Sequence, residues 1–135
     1  MKKKSPVKKA VSSTKRATIK LPQTRKNETY KGIVVSEKGK PLYHVIERTI
    51  PATNKQWADA VAFAKNEGYV LPDRRDGALL RASDPRGQSG WFWLSEPYEG
   101  YAGCAWAQVF DTGYQDVCRK GIESRVRLVR RELIS

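Results

Sequence analysis

Few residues in this chain have the types that perform acid–base, nucleophilic or metal chemistry. The only histidine is His44, and the only cysteines are Cys104 and Cys118. A zinc site needs three or four ligands, and this set does not supply them. A cysteine nucleophile needs an adjacent base or a lowered pKa. The nearest candidate is Lys120, which the strand pairing derived below places opposite Cys104. Glycoside hydrolysis needs two carboxylates flanking a cleft, and no pair of acids stands out. Glu96 and Glu99 alone are too few for calcium. The expectation is therefore a protein that is not an enzyme, with no catalytic residue, cofactor or metal.

Residues suited to contact with a partner are plentiful. The 95–103 segment holds Glu96, Tyr98, Glu99 and Tyr101. Tyrosine-rich polar loops make adaptable contact surfaces, so these four form a candidate partner-binding loop, together with residues 83–90. A second candidate is basic. Arg125 and Arg127 alternate with Val126 and Leu128, which gives one charged and one apolar strand face. These arginines either pair with nearby acids such as Asp111, Asp116 and Glu123, or meet phosphate or an acidic protein. A third candidate is the N-terminus, with Lys2, Lys3, Lys4, Lys8, Lys9, Lys15 and Arg16.

Charge is unevenly spread over the 135 residues. The formal net charge is +12. Residues 1–30 carry ten Lys/Arg against Glu28 alone, and the remainder carries sixteen basic against thirteen acidic groups. A basic arm on a nearly balanced domain suggests a tether to nucleic acid or another acidic partner. Residues 1–29 are read as a disordered basic tail, because Lys, Ser, Thr and Pro cannot bury enough area to offset chain entropy. Residues 30–135 form the domain. No apolar run is long enough to span a membrane. Lys2 to Lys4 look like the start of a leader, but Lys8, Lys9, Lys15 and Arg16 interrupt any apolar stretch after them.

The elements that must position these residues follow from patterning. Tyr30 to Val35 and Leu42 to Ile46 are β-branched and aromatic runs around a turn at 37–40, a β-hairpin; His44 is an ordinary strand residue there. Thr53 and Gln56 have capping-box spacing. Trp57, Ala60, Val61 and Ala64 then recur on one helical face, with Trp57 as a core anchor and Lys65 and Gly68 at the C-terminal end. Asp73 is the expected N-cap of a second helix over 74–81, with Leu79 and Leu80 inward. Strands follow at 91–94, 104–110, 114–118 and 125–130. A three-residue loop at 111–113 would set Phe110 opposite Tyr114, Trp106 opposite Cys118 and Cys104 opposite Lys120. The cysteines would then be diagonal neighbours about 7–8 Å apart. That exceeds the roughly 3.5–4.5 Å between Cβ atoms in a disulfide, so free thiols are expected.

An ordered set of motifs also resembles a known family. They are Trp57 with its alanine-rich helix, Leu71-Pro72-Asp73-Arg74, Gly77-Ala78-Leu79-Leu80, Phe92-Trp93-Leu94-Ser95, Ala105-Trp106, Phe110 to Gly113, and Arg125 to Arg131. Over residues 50–131 they are similar to the C-terminal domain of a bacterial collagen-like adhesin, a domain common in small phage and prophage proteins. One departure is Leu94, where the family often has a small hydroxyl residue. The resemblance implies an α+β fold of the C-type-lectin-like kind, related to formylglycine-generating enzymes, with two helices and a mainly antiparallel sheet. It also implies a phage or prophage origin. The function expected is non-enzymatic binding inside the host cell, in the host cytoplasm, which the basic tail, the free thiols and the interrupted leader-like start favour. The partner would be a host or phage protein, such as a component of host defence, with nucleic acid or another acidic partner on the tail. The alternative is a structural or receptor-binding component of the virion.

Overall fold

The computed structural model describes residues 18–84 and 89–134. Residues 1–17 of the expected 1–29 tail, with Lys2, Lys3, Lys4, Lys8, Lys9, Lys15 and Arg16, lie outside the described residues, as do residues 85–88 of the 83–90 loop.

Among the described residues the fold is α+β, with two helices and mainly antiparallel sheets. β1 (Glu28–Val35) and β2 (Pro41–Arg48) form the expected hairpin, paired from Glu28 with Arg48 to Val35 with Pro41. Gly39 closes its turn at φ +79, a left-handed conformation that favours glycine. The last strand, β8 (Leu128–Leu133), pairs antiparallel with the other side of β2, giving a three-stranded sheet in the order β1-β2-β8. A five-stranded sheet runs β3-β7-β4-β5-β6. Its members are β3 (Asn54–Lys55), β4 (Trp91–Pro97), β5 (Cys104–Val109), β6 (Gln115–Arg119) and β7 (Ser124–Arg125). Among the described residues, only β4 and β7 pair in parallel.

Consecutive strand residues face opposite ways, and Phe92 and Trp93 use this to build two cores. Trp93 is fully buried and joins Ala60, Ala64, Ala105, Ala107, Leu71 and Leu128. The four alanines leave room for its indole, whose Nε1 donates to the Lys55 carbonyl at 2.8 Å. Phe92 packs edge-on against Phe110, with ring centroids 5.1 Å apart, beside Leu80, Val45 and Val129.

Each helix covers one core. α1 (Trp57–Asn66) supplies Ala60 and Ala64 to the Trp93 side. It ends in a Schellman motif: Gly68 adopts φ +83, its N–H donates to Lys65 O, and the Tyr69 N–H donates to Ala64 O. α2 (Arg74–Ser83) supplies Leu80 to the Phe92 side. Asp73 caps it as expected, in a reciprocal box with Asp76.

Four sequence expectations require correction. Thr53 and Gln56 form no capping box. Gln56 is the N-cap but makes no side-chain cap bond. Trp93 holds Lys55 in an extended strand, and the Trp57 N–H is satisfied by Lys120 O at 3.1 Å. The 104–118 hairpin has a four-residue loop, because Phe110 leaves the ladder to enter the core. Cys104 therefore faces Arg119 and Cys118 faces Ala105, not Lys120 and Trp106. The two free thiols thus stand on opposite faces of the sheet. The 125–130 strand is split: the chain leaves one sheet after Arg125 and enters the other at Leu128. Finally, the first strand begins at Glu28, not Tyr30, because the Glu28 carboxylate is bound inside the fold.

Candidate functional site

Three carboxylates, two of them with fully buried side chains, organise the arginines. Glu28, whose side chain is fully buried, accepts from Arg130 Nε and Nη2 at 2.9 Å each and from the Tyr69 hydroxyl at 2.5 Å. The Arg130 bonds hold its carboxyl down to about 2, against the opposing effect of burial. Arg130 also donates to Gln23 O at 3.0 Å, and the Arg25 N–H donates to Glu28 at 2.7 Å, so residues before β1 are tied to β8. Glu47 takes both forks of Arg127 at 2.6 Å. Asp76, fully buried, binds Arg131 and accepts from the Tyr43 hydroxyl at 3.0 Å. Burial and the Asp76 charge push the Tyr43 hydroxyl up to about 12.

This geometry decides the fate of the basic strand face. Arg127 is only 8% exposed, and its guanidinium lies over Phe110 at 4.3 Å. Its partner is Glu47, eighty residues earlier, and not Asp111, Asp116 or Glu123. Its charge is neutralised within the fold. Arg125 belongs to the other sheet. It donates to Ser89 O at 3.0 Å and lies over Phe92 at 5.5 Å. The two side chains still line one cleft of about 160 Å3 with Glu47, Thr53 and Asp84, but they form no continuous basic strip.

The partner loop divides into structural and presented residues. Ser95 and Glu96 lie in β4. Glu96 Oε1 accepts from the Arg74 N–H at 2.8 Å, so it serves the positive end of α2. Tyr98 packs edge-on against Trp106, at 6.1 Å and 84°. The 98–103 turn is closed by backbone bonds: Tyr98 N–H to Cys104 O at 3.0 Å, Tyr101 N–H to Tyr98 O at 3.4 Å, and Cys104 N–H to Tyr101 O at 3.1 Å. Its glycines let the rings fold over the backbone. A Cβ at Gly100 would lie 2.7 Å from the Tyr98 ring, and one at Gly103 2.9 Å from Tyr101. Tyr101 stays 62% exposed, and Glu99 is exposed beside it.

One neighbour of this loop is absent from the sequence reading. Arg74 stacks on the Trp106 indole at 3.8 Å. Its Nε donates to Gln115 Oε1 at 3.3 Å, while Gln115 Nε2 donates to Arg74 O and to Gln108 Oε1. Tyr98, Trp106 and Arg74 thus form one aromatic–guanidinium surface. The only sequence signal was the composition itself, since Trp, Tyr and Arg dominate interface anchors.

His44 and the two thiols lie in different sheets. His44 is 4% exposed, and its Nδ1 shares a 2.8 Å hydrogen bond with the Tyr30 hydroxyl. Burial pushes the Cys118 thiol up. Among the described residues no three His, Cys, Asp or Glu side chains converge as a metal ion would need, and no helix is long and apolar enough to cross a membrane. Compared with known proteins, the chain matches no protein-family model and no curated protein.

Proposed function

We propose that this chain is a non-enzymatic binding protein that recognises a protein partner through the 98–103 turn and the adjoining Tyr98–Trp106–Arg74 surface. The observation that carries this reading is the state of Tyr101. Its ring is 62% exposed, on a turn closed by backbone hydrogen bonds. A pre-ordered aromatic loses little conformational freedom on binding. Glu99 beside it and Arg74 across the turn supply polar specificity. The non-enzymatic part is supported by the arginine pairing of Glu28, Glu47 and Asp76 and by the burial that pushes the Cys118 thiol up.

The C-type-lectin-like label and the phage or prophage origin belong to the same proposal and rest on the motif resemblance. On this reading the protein acts inside the host cell, where its basic N-terminal residues attract nucleic acid or an acidic surface. Affinity capture from host cells is the test, with quantitative mass spectrometry of the bound proteins. A protein retained by the wild type and lost with Tyr101→Ala and with Glu99→Lys supports the proposal. Equal retention by all three forms refutes the loop. For the N-terminus, duplex DNA binding that weakens steeply with salt should disappear when Lys2, Lys3, Lys4, Lys8, Lys9, Lys15 and Arg16 are all changed to Gln. Enrichment of the protein in purified virions would favour the structural or receptor-binding reading.

A further inference from the structure

A separate surface lies on the opposite side of the five-stranded sheet from Trp106. The apolar stripe of α1 is wider than its buried part. Ala60 and Ala64 are fully buried, while Val61 is 38% exposed and Trp57 only half-buried. The exposed portion continues onto Val70, which is 42% exposed. Val61, Trp57 and Val70 line a groove of about 260 Å3 floored by the buried Tyr69 and Leu71, with Lys65 and Ser95 at its rim. The Trp57 ring is fixed, because its Nε1 donates to Leu94 O at 2.9 Å and Lys120 lies over its face at 4.7 Å.

We propose that this groove takes a short acidic peptide segment of a partner protein. One bulky apolar side chain sits among Trp57, Val61 and Val70, and a carboxylate meets Lys65. Three observations select this occupant. The volume is below the roughly 300–1,000 Å3 of small-molecule sites, and it suits one or two side chains. No acidic residue lines the groove, and Lys65 makes no ion pair among the described residues, so the local charge is complementary only to an anion. Lys65 also suits the C-terminal end of α1, and its charge gains meaning only from its place on an apolar rim.

The same charge argues against the other occupants. Residues 1–17 carry six lysines, one arginine and no acid, so the chain's own N-terminus is repelled. A second copy across a two-fold axis would bring Lys65 toward its twin. The backbone of Val70 is already paired with Val129, with both bonds at 2.9 Å, so an added strand finds no free partner there. Side chains must carry the recognition.

The test is peptide selection from a random display library against the full chain, followed by fluorescence anisotropy with the selected peptides. They should share one Phe, Leu or Trp beside Asp or Glu. Val61→Asp should weaken them at least about tenfold, while Tyr114→Asp, at a residue that is 57% exposed and does not line the groove, should not. Lys65→Glu should turn the selection toward basic peptides. Circular dichroism and thermal melting would establish that each variant folds. Selection of no such peptides, selection without acidic residues, or binding indifferent to Val61→Asp would overturn the proposal. So would a wild-type dimer that Val61→Asp converts to monomer, since a second copy would then cover the groove.

Discussion

Glu28→Gln perturbs the link between the N-terminal segment and the last strand with little change of shape. The substitution removes the charge and turns one acceptor toward Arg130 into a donor. Breaking a buried ion pair costs roughly 3–5 kcal/mol. The Arg130 side chain keeps 16% exposure and can relax toward water, so the low end, about 3 kcal/mol, applies. For a domain of this size that lowers Tm by roughly 10–20 °C. The pH dependence has a definite sign. The folded-state pKa of Glu28 is depressed from 4.5 to about 2. Its contribution is present in full above the unfolded value and is lost as pH falls from about 4.5 toward 2. Urea unfolding followed by tryptophan fluorescence, at about pH 7 and about pH 3, measures both effects. The wild type should exceed the variant by about 3 kcal/mol at neutral pH and by clearly less in acid. A neutral-pH difference below about 1 kcal/mol, or one unchanged by acid, would refute the reasoning.

Further substitutions test the packing and the pairing. Gly77→Ala should destabilise by about 1–3 kcal/mol in urea titration, despite alanine's better helix propensity, since its Cβ would lie 2.5 Å from Gln108 Oε1 and 3.2 Å from Leu94 Cδ2. Phe110→Ala should cost about 3–5 kcal/mol and Tyr114→Ala no more than about 0.5 kcal/mol, because the first ring is fully buried and the second is 57% exposed. Similar costs at both positions would restore the three-residue loop. Glu47→Gln, which leaves Arg127 without its counter-charge, should lose about 3 kcal/mol, whereas Arg125→Gln should lose under about 1 kcal/mol by the same titration. Mild oxidation of the folded protein should leave Cys104 and Cys118 unlinked in non-reducing peptide mass mapping, since they face opposite sides of the sheet.

Local chemistry was legible in the sequence where neighbours a few residues apart decide the outcome. Asp73 caps α2 because its partner N–H is three residues on. Trp57, Ala60 and Ala64 mark α1, and Gly68 ends it with the left-handed turn that glycine permits. Where distant packing decides, local pattern misleads. Thr53 and Gln56 have the spacing of a cap, but the Trp93 indole, thirty-eight residues from Lys55, draws that segment into a strand. Phe110 reads as a ladder residue until the second core claims it, which shifts the whole hairpin by one position. Arg127 reads as paired with a nearby acid or open to a partner, because nothing nearby reveals Glu47. In the candidate site, composition pointed to Tyr98 and Tyr101. It could not separate Glu96, which serves α2, from Glu99, which is presented, and it did not place Arg74 on Trp106.

Hydrogen–deuterium exchange of the full chain, alone and bound to a captured partner, tests the binding role of the 98–103 turn most directly. Protection should appear in peptides covering residues 98–103 and the start of α2 at Arg74. Protection confined to other surfaces, with 98–103 exchanging as in the free protein, would contradict it.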